Sequence, residues 1–101
     1  MRRGTTPAIV LTVDADITSY TVYVTMQNYR KQVTVSGDRL LMEYANSKTT
    51  ISFGLTQEET LAFGTGTCEV QVRAIHDGTA IATDIQTIDV GRILKEGVIV
   101  E

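Results

Sequence analysis

Apolar and polar residues alternate along most of this chain, and a period of two is the pattern of a β-strand with one buried face. The pattern is clearest over residues 20–27, where Tyr20, Val22, Val24 and Met26 alternate with polar residues and a second tyrosine. Similar patterns predict further strands at residues 8–14, 30–35, 40–44, 49–55 and 67–75. β-branched residues, which favour strands, are frequent throughout. We therefore expect an all-β sandwich domain.

One segment departs from this alternation and predicts a short helical turn near residues 57–63. Thr56 and Glu59 have the spacing of a capping box, in which each side chain accepts a hydrogen bond from the other residue's backbone N–H. Gly64-Thr65-Gly66 then ends the turn, because glycine adopts left-handed backbone angles. Paired acids such as Glu58 and Glu59 also occur in glycosidase and metal sites. Acids in a first helical turn complement the helix dipole, so we favour the structural interpretation.

The dipeptide Asp77-Gly78 between two apolar stretches predicts a two-residue hairpin turn. The turn fixes these pairs: His76 with Thr79, Ala74 with Ile81, Val72 with Thr83 and Val70 with Ile85. Farther along the second strand, Ile88 has the opposite parity from Ile85. One extra residue is needed to turn both side chains to the same face, so we predict a β-bulge or bend near Gln86-Thr87.

The chain has 101 residues, which suits one domain with a single core. We expect the sandwich to span residues 1–91 and to be followed by a C-terminal extension, residues 92–101. This extension contains the apolar run Val98-Ile99-Val100, which forfeits burial if it stays in solvent. The extension is expected to dock either on the domain's own sheet or on a neighbouring subunit, and the sequence leaves both alternatives open.

Charge and hydropathy restrict the expected partners. The formal net charge is -3 and basic residues are not clustered, whereas a phosphate-binding surface needs grouped lysines and arginines. No apolar run approaches the roughly 20 residues that span a bilayer. The residues after Met1-Arg2-Arg3 also lack the apolar stretch of a signal peptide. We therefore expect neither a nucleic acid nor a membrane as partner.

Residues capable of catalysis or metal binding are few and scattered. Cys68 lies on a predicted strand and is expected to be a buried apolar side chain. The only histidine, His76, lies eight residues along the same strand, about 26 Å away at the rise of a strand, which excludes a Cys–His dyad. Asp14-Ala15-Asp16 lacks the glycine and final glutamate of a calcium loop and is read as a turn. We expect no enzyme, no catalytic or metal residues, no cofactor and no small-molecule substrate.

Because no catalytic or metal site is expected, we expect the protein to act through contacts at its surface. Tyr23 lies on the face opposite Val22 and Val24, and tyrosine is enriched at protein interfaces. A cross-strand neighbour on a solvated face is an equally good interpretation of Tyr23. The candidate interface residues are Tyr23, Val98, Ile99 and Val100.

Three stretches together resemble a known family. They are Arg3-Gly4-Thr5-Thr6-Pro7 with the strand after it, the segment from Ile17 to Val24, and the run from Leu55-Thr56-Gln57-Glu58-Glu59-Thr60 through Gly66 to Arg73. Their order is similar to the N-terminal domain of phage baseplate upper proteins and to small tail or virion proteins of phages and prophages in Firmicutes. The similarity covers most of residues 3–90.

The resemblance implies an immunoglobulin-like antiparallel β-sandwich of about seven strands. It also implies a virion structural protein, assembled in the bacterial cytoplasm, whose partners are other phage structural proteins and further copies of itself in a homo-oligomer. The chain departs from baseplate upper proteins in lacking the long helical linker and receptor-binding platform, so its position in a tail, baseplate, neck or capsid surface stays open. The alternative is a carbohydrate-binding or adhesin module, which would need an aromatic platform, and the chain has no tryptophan.

Overall fold

The computed structural model describes residues 1–101 and contains eight strands, one short α-helix and one 3-10 turn. The strands are β1 (Ala8–Val13), β2 (Thr21–Asn28), β3 (Lys31–Ser36), β4 (Leu41–Ala45), β5 (Lys48–Gly54), β6 (Gly66–His76), β7 (Thr79–Ala82) and β8 (Gln86–Val90). The helix α1 spans Gln57–Leu61, and the 3-10 turn spans Gly37–Arg39. The alternation therefore predicted the fold class correctly.

The strands form two antiparallel sheets. One has the order β1-β5-β4, and the other has the order β3-β2-β6-β7, with β8 also paired to β6. In an immunoglobulin domain strands A, B, E and D form one sheet, and C, F and G form the other, to which variable-type domains add C′. Here β1, β5 and β4 take the positions of B, E and D, while β3, β2, β6 and the β7–β8 pair take those of C′, C, F and G. The immunoglobulin-like antiparallel β-sandwich is confirmed.

No strand takes the position of strand A beside β1, which pairs with β5 alone. The residues before β1 instead run toward the far sheet, where Arg2 forms a parallel bridge with Gly91. The Met1 ammonium group donates a hydrogen bond to the Asp89 carbonyl at 2.8 Å, and the Arg3 backbone N–H donates to the Gly91 carbonyl at 3.1 Å. The outer edge of β1 is consequently an edge of the molecule.

The core lies between the sheets and is formed by the side chains that the alternation places inward. In β2, Val22, Val24 and Met26 are buried, and Tyr20, just before it, packs partly buried against them. The complete buried apolar set is Ile9, Val13, Ile17, Val22, Val24, Met26, Val35, Ile51, Phe53, Leu55, Phe63, Cys68, Val70, Val72, Ala74 and Val90. Both sheets contribute to this one core.

The helix α1 closes the end of the sandwich where β5 leads into β6. Its capping box is present as predicted: the Glu59 N–H donates to Thr56 Oγ1 at 3.1 Å, and the Thr56 N–H donates to Glu59 Oε1 at 2.9 Å. The Thr60 hydroxyl donates to the Thr5 carbonyl at 2.9 Å. Phe63, just after the helix, is buried in the core. The turn therefore anchors the segment that leads into β1.

The Asp77-Gly78 hairpin has the predicted register, with Ala74 paired to Ile81. Farther from the turn the register shifts by one residue, because Val70 pairs with Gln86 and not with Ile85. The expected irregularity exists, but it lies at residues 83–85, just before the predicted position. There the Val72 N–H donates to the Thr83 hydroxyl at 3.1 Å, while the Thr83 N–H donates to the Val72 carbonyl at 2.9 Å. This bulge divides the last predicted strand in two, so the chain has eight strands.

Candidate functional site

The free edge of β1 exposes peptide groups that no strand satisfies. The Leu55 N–H donates to the Pro7 carbonyl at 3.1 Å. The backbone groups of Pro7 and of every second residue after it therefore point toward β5. Backbone groups alternate in direction along an antiparallel strand. The N–H and C=O groups of Ala8, Val10 and Thr12 therefore point away from β5, toward solvent. Their side chains are also exposed.

This edge lacks the features that usually prevent strand addition. Exposed edges in natural proteins are commonly protected by charged side chains, proline or bulges. Residues Ala8–Val13 contain no charge and no proline. By contrast, β3 begins with Lys31, β4 carries Glu43 at its centre, β7 runs into the bulge, and β8 carries Asp89. The β1 edge is therefore the edge of this sandwich best suited to accept another strand.

An open cavity of about 180 Å³ lies beside the β1 edge, between the two sheets. We call it the edge groove. Its apolar lining comes from Leu11 and Val13 of β1 and from Val70 and Val72 of β6. Because no strand A covers this side of the sandwich, Leu11 is only half-buried although it faces the core. A bound strand would place alternate side chains in the groove.

One end of the edge groove is acidic. Asp14 and Asp84 both line it. Asp14 lies 3.5 Å from the Lys48 ammonium group, and both side chains are mostly exposed, so this pair contributes little stability. Asp84 has no salt-bridge partner in the chain. A strand entering the groove with a basic residue at this end would meet a complementary charge.

The C-terminal extension, which contains three of the predicted interface residues, runs along the residues that precede β1. Arg3 forms a salt bridge with Glu96 at 2.8 Å. Beyond Gly97, the Gln57 side chain donates to the Ile99 carbonyl at 3.0 Å and accepts from the Ile99 N–H at 2.9 Å. The side chains themselves stay in solvent, with Val98 49%, Ile99 57% and Val100 90% exposed.

The Gln57 tether places this extension at the start of β1. Gln57 begins α1, two residues after Leu55, and Leu55 is bonded to Pro7. The acidic end of the edge groove, at Asp14, lies at the opposite end of the strand, about 20 Å away at strand rise. The extension and the acidic end of the groove are therefore separate surfaces of one molecule.

Tyr23, the other predicted interface residue, lies elsewhere. It is 44% exposed on the outer face of the five-stranded sheet, where it lines a shallow depression with Ile75 and Ala80. Tyr23 pairs with Arg73 near the end of β6, whereas the extension follows β8, whose Val90 pairs with Gly66 at the start of β6. The structure does not bring Tyr23 and the Val98–Val100 run together.

A larger depression of about 380 Å³ also lies on the outer face of the five-stranded sheet. Its lining is mostly polar: Thr25, Gln27, Gln32, Glu69, Gln71 and Arg73, with Ile85 at one side. These amides and charges can donate and accept hydrogen bonds. No aromatic ring lines the depression, so it offers hydrogen bonding without a stacking surface.

The residues considered for chemistry lie apart from one another. Cys68 is buried, and that burial raises the pKa of its thiol. His76 is exposed, with its ring centroid 5.3 Å from that of Tyr20. Asp16 accepts hydrogen bonds from the Thr18 hydroxyl at 2.7 Å and the Thr18 N–H at 3.1 Å, as in a turn, and both bonds lower its pKa. No three histidine, cysteine or acidic side chains are grouped as metal ligands would be.

The chain has no helix with the length and apolarity to cross a membrane. Comparison of the sequence with protein-family models and with curated proteins gave no match.

Proposed function

We propose that this protein is a bacteriophage virion structural protein that acts through protein–protein contacts and catalyses no reaction. The observation that carries the assembly role is the uncharged, unpaired β1 edge beside the edge groove. The resemblance of most of residues 3–90 to the N-terminal domain of phage baseplate upper proteins supports the virion setting.

The edge and the groove have complementary roles in this proposal. Strand addition gains affinity from backbone hydrogen bonds, and pockets for alternate side chains provide specificity. Ala8, Val10 and Thr12 supply the backbone groups, and the apolar groove lining receives side chains from the incoming strand. Because the edge is already formed in the folded chain, binding requires little rearrangement of the domain.

A second candidate function is carbohydrate binding, and the polar depression on the outer face of the five-stranded sheet favours it. Gln27, Gln32 and Gln71 provide amides of the kind that bond sugar hydroxyls. Sugar sites usually add an aromatic platform, which this depression lacks. Binding of a glycan that is lost in the Gln32→Ala variant and kept in the Val10→Lys variant would support this candidate over strand addition.

The virion setting is tested on phage particles. Prophage induction in the bacterium that carries this sequence, followed by density-gradient purification and mass spectrometry, is expected to find the chain in the particle fraction at a fixed ratio to the other structural proteins. Recovery of the chain only from the fraction without particles would contradict the proposal.

A further inference from the structure

We infer that the partner of the β1 edge is a second copy of this chain, whose residues Lys95–Glu101 enter the edge groove as an antiparallel strand. This inference rests on the proposed function and specifies its interface. The incoming strand would occupy the place of the absent strand A and extend the three-stranded sheet by one strand.

The alternation of side chains selects the register. Only Ala8, Val10 and Thr12 offer free backbone groups, so alternate residues of the incoming strand must face them. If Ile99 lies opposite Val10, then Val98 and Val100 lie opposite Leu11 and Ile9, and their side chains point into the groove. Glu96 then lies opposite Val13 and also faces the groove, at its end, so the apolar contact comes from the two valines alone. A shift by one residue would turn both valines to solvent and leave one apolar side chain inward.

Charge selects the same register. With Ile99 opposite Val10, Lys95 lies opposite Asp14, at the acidic end of the groove. Both residues then lie on the outer face of the sheet, and opposite charges on directly paired residues stabilise antiparallel strands. Lys95 has no carboxylate partner in its own chain, so its charge is available. A shift by two residues in either direction places an uncharged residue opposite Asp14.

The same chain cannot supply this strand while it holds its own extension in place. Arg3 binds Glu96 and Gln57 binds Ile99, which keeps the extension at the start of β1. Lys95 of that chain therefore lies far from Asp14. A released extension also cannot reach the groove of its own chain, because Gly91 stays bonded to Met1 and Arg3 before the start of β1. The four residues from Gly91 to Lys95 span at most about 14 Å, whereas Asp14 lies about 20 Å along the strand. The strand that fills the groove must therefore come from another copy.

Release of the extension from its own domain breaks the Arg3–Glu96 salt bridge and the two hydrogen bonds between Gln57 and Ile99. The two hydrogen bonds between the half-buried Gln57 side chain and Ile99 would be replaced by two backbone bonds to Val10. Gly97 adopts a φ of 88°, a left-handed conformation that suits glycine, and no atom lies within 4 Å of the Cβ position there. Gly97 can therefore change its backbone angles when Lys95–Glu101 becomes a strand, and this change does not disturb the core.

Disulfide cross-linking tests this register. A Val10→Cys chain is mixed with an Ile99→Cys chain under mild oxidation, and directly paired residues have Cα atoms about 5.5 Å apart, within the range of a disulfide. The mixture is expected to form a linked dimer about tenfold faster than either variant alone. The wild-type chain, whose single cysteine is buried, is the background control. Leu41→Cys, exposed on the opposite edge of the same sheet, is the matched position control.

Three outcomes would overturn the inference. Rapid linkage of Val10→Cys with itself would indicate that two β1 edges pair directly. An intramolecular disulfide in a chain that carries both cysteines would indicate binding within one chain. Absence of any linkage above the Leu41→Cys control would exclude this contact. In each case the presence of the chain in purified virions still decides the proposed function separately.

A charge exchange provides the second readout. Lys95→Glu is expected to lower the cross-linking rate about fivefold, and adding Asp14→Lys to the partner chain is expected to restore it. Lys31→Glu changes the net charge equally at a distant strand and should leave the rate unchanged. Loss without restoration would show that Lys95 and Asp14 do not face each other.

Discussion

Asn28 is a polar side chain buried at the end of β2, and it binds the loop between α1 and β6. Its Nδ2 donates to the carbonyls of Gly64 at 3.0 Å and Thr67 at 3.1 Å, and its Oδ1 accepts from the Gly64 N–H at 2.7 Å. The neighbouring Tyr29 hydroxyl donates to the Thr65 carbonyl at 2.9 Å. The amide thus satisfies backbone groups that would otherwise lack partners inside the fold.

We predict that Asn28→Ala lowers the free energy of unfolding by about 2–3 kcal/mol, because it removes three part-buried hydrogen bonds to the Gly64 and Thr67 backbone. Urea denaturation followed by circular dichroism measures this loss. Gln27→Ala, at the exposed neighbouring position, is the control and should change stability by less than about 0.5 kcal/mol. Equal effects of the two substitutions would contradict the role assigned to Asn28.

Glu59 connects α1 to the 3-10 turn. Arg39 Nη2 donates to Glu59 Oε1 at 2.6 Å, and Arg39 Nη1 donates to Oε2 at 2.7 Å. These hydrogen bonds are the main reason why the Glu59 pKa is lowered from 4.5 to about 2. A carboxyl group whose pKa is lower in the folded than in the unfolded state stabilises the fold at pH values above its unfolded pKa. This contribution is lost as the pH falls from about 4.5 toward 2.

We therefore expect Glu59→Gln to lower the free energy of unfolding by about 1–2 kcal/mol at pH 6, and expect the difference from wild type to shrink toward pH 2. Denaturation curves at several pH values measure this convergence. Glu58→Gln, exposed and without an ion pair, is the matched control. A difference that stays constant with pH would rule out the Arg39 pair as its cause.

At the scale of elements, the bulge between β7 and β8 shapes one wall of the edge groove. The Thr83 hydroxyl, in place of a backbone carbonyl, accepts the hydrogen bond from the Val72 N–H. The Thr83 carbonyl accepts a hydrogen bond from Gln71 Nε2 at 2.9 Å. The Thr83 carbonyl, which would otherwise continue the backbone hydrogen bonds between the strands, is therefore bonded to a side chain. Asp84, the next residue, lines the groove.

Thr83→Val keeps the shape of the side chain and removes the acceptor for the Val72 N–H. We predict a loss of about 1–2 kcal/mol of stability and faster hydrogen exchange at the Val72 amide. Thr87→Val, at an exposed position of β8, is the control. Unchanged exchange at Val72 would show that the hydroxyl does not support the bulge.

Local sequence signals predicted the elements well. The capping box at Thr56 and Glu59, the Asp77-Gly78 register and the inward faces of β2, β5 and β6 all follow from interactions within a few residues. The bulge was predicted from the parity of Ile85 and Ile88, but its position depends on the bond between Thr83 and Val72, which parity does not specify. The sequence therefore indicated that an irregularity exists without indicating where.

The candidate site could not be predicted in the same way. The apolar, uncharged character of Ala8–Val13 is visible in the sequence and would equally suit a central strand. That β1 lies at an edge follows from the order of strands in the sheet and from the path of Met1–Arg3 toward β8. Both are long-range properties that a periodic pattern does not contain. The exposed Val98–Val100 run was predicted as an interface because it stands apart from the periodic core.

At the scale of the whole molecule, the proposed function predicts that copies of the chain associate through the β1 edge. Val10 is 61% exposed, so Val10→Lys should change the free energy of unfolding by less than about 0.5 kcal/mol. A charged edge opposes strand addition, and we expect the variant to remain monomeric at concentrations where the wild type associates. Light scattering coupled to size-exclusion chromatography measures the mass.

Leu41→Lys is the matched control for this prediction, because Leu41 is 62% exposed on the same sheet but lies in β4, on the opposite edge. It should associate like the wild type. Equal loss of association in both variants would point to the face of the sheet as the contact, and no effect in either would exclude the β1 edge.

The separation of the extension from the acidic end of the edge groove has a consequence for how an assembly of copies grows. If each copy gives its extension to one neighbour and accepts another in its groove, the contact is directional and every added copy leaves one free donor and one free acceptor. Such head-to-tail contacts end only when a rotation closes a ring, and otherwise continue as a filament. The twist between successive copies, and not the affinity of the contact, would then fix how many subunits an assembly contains.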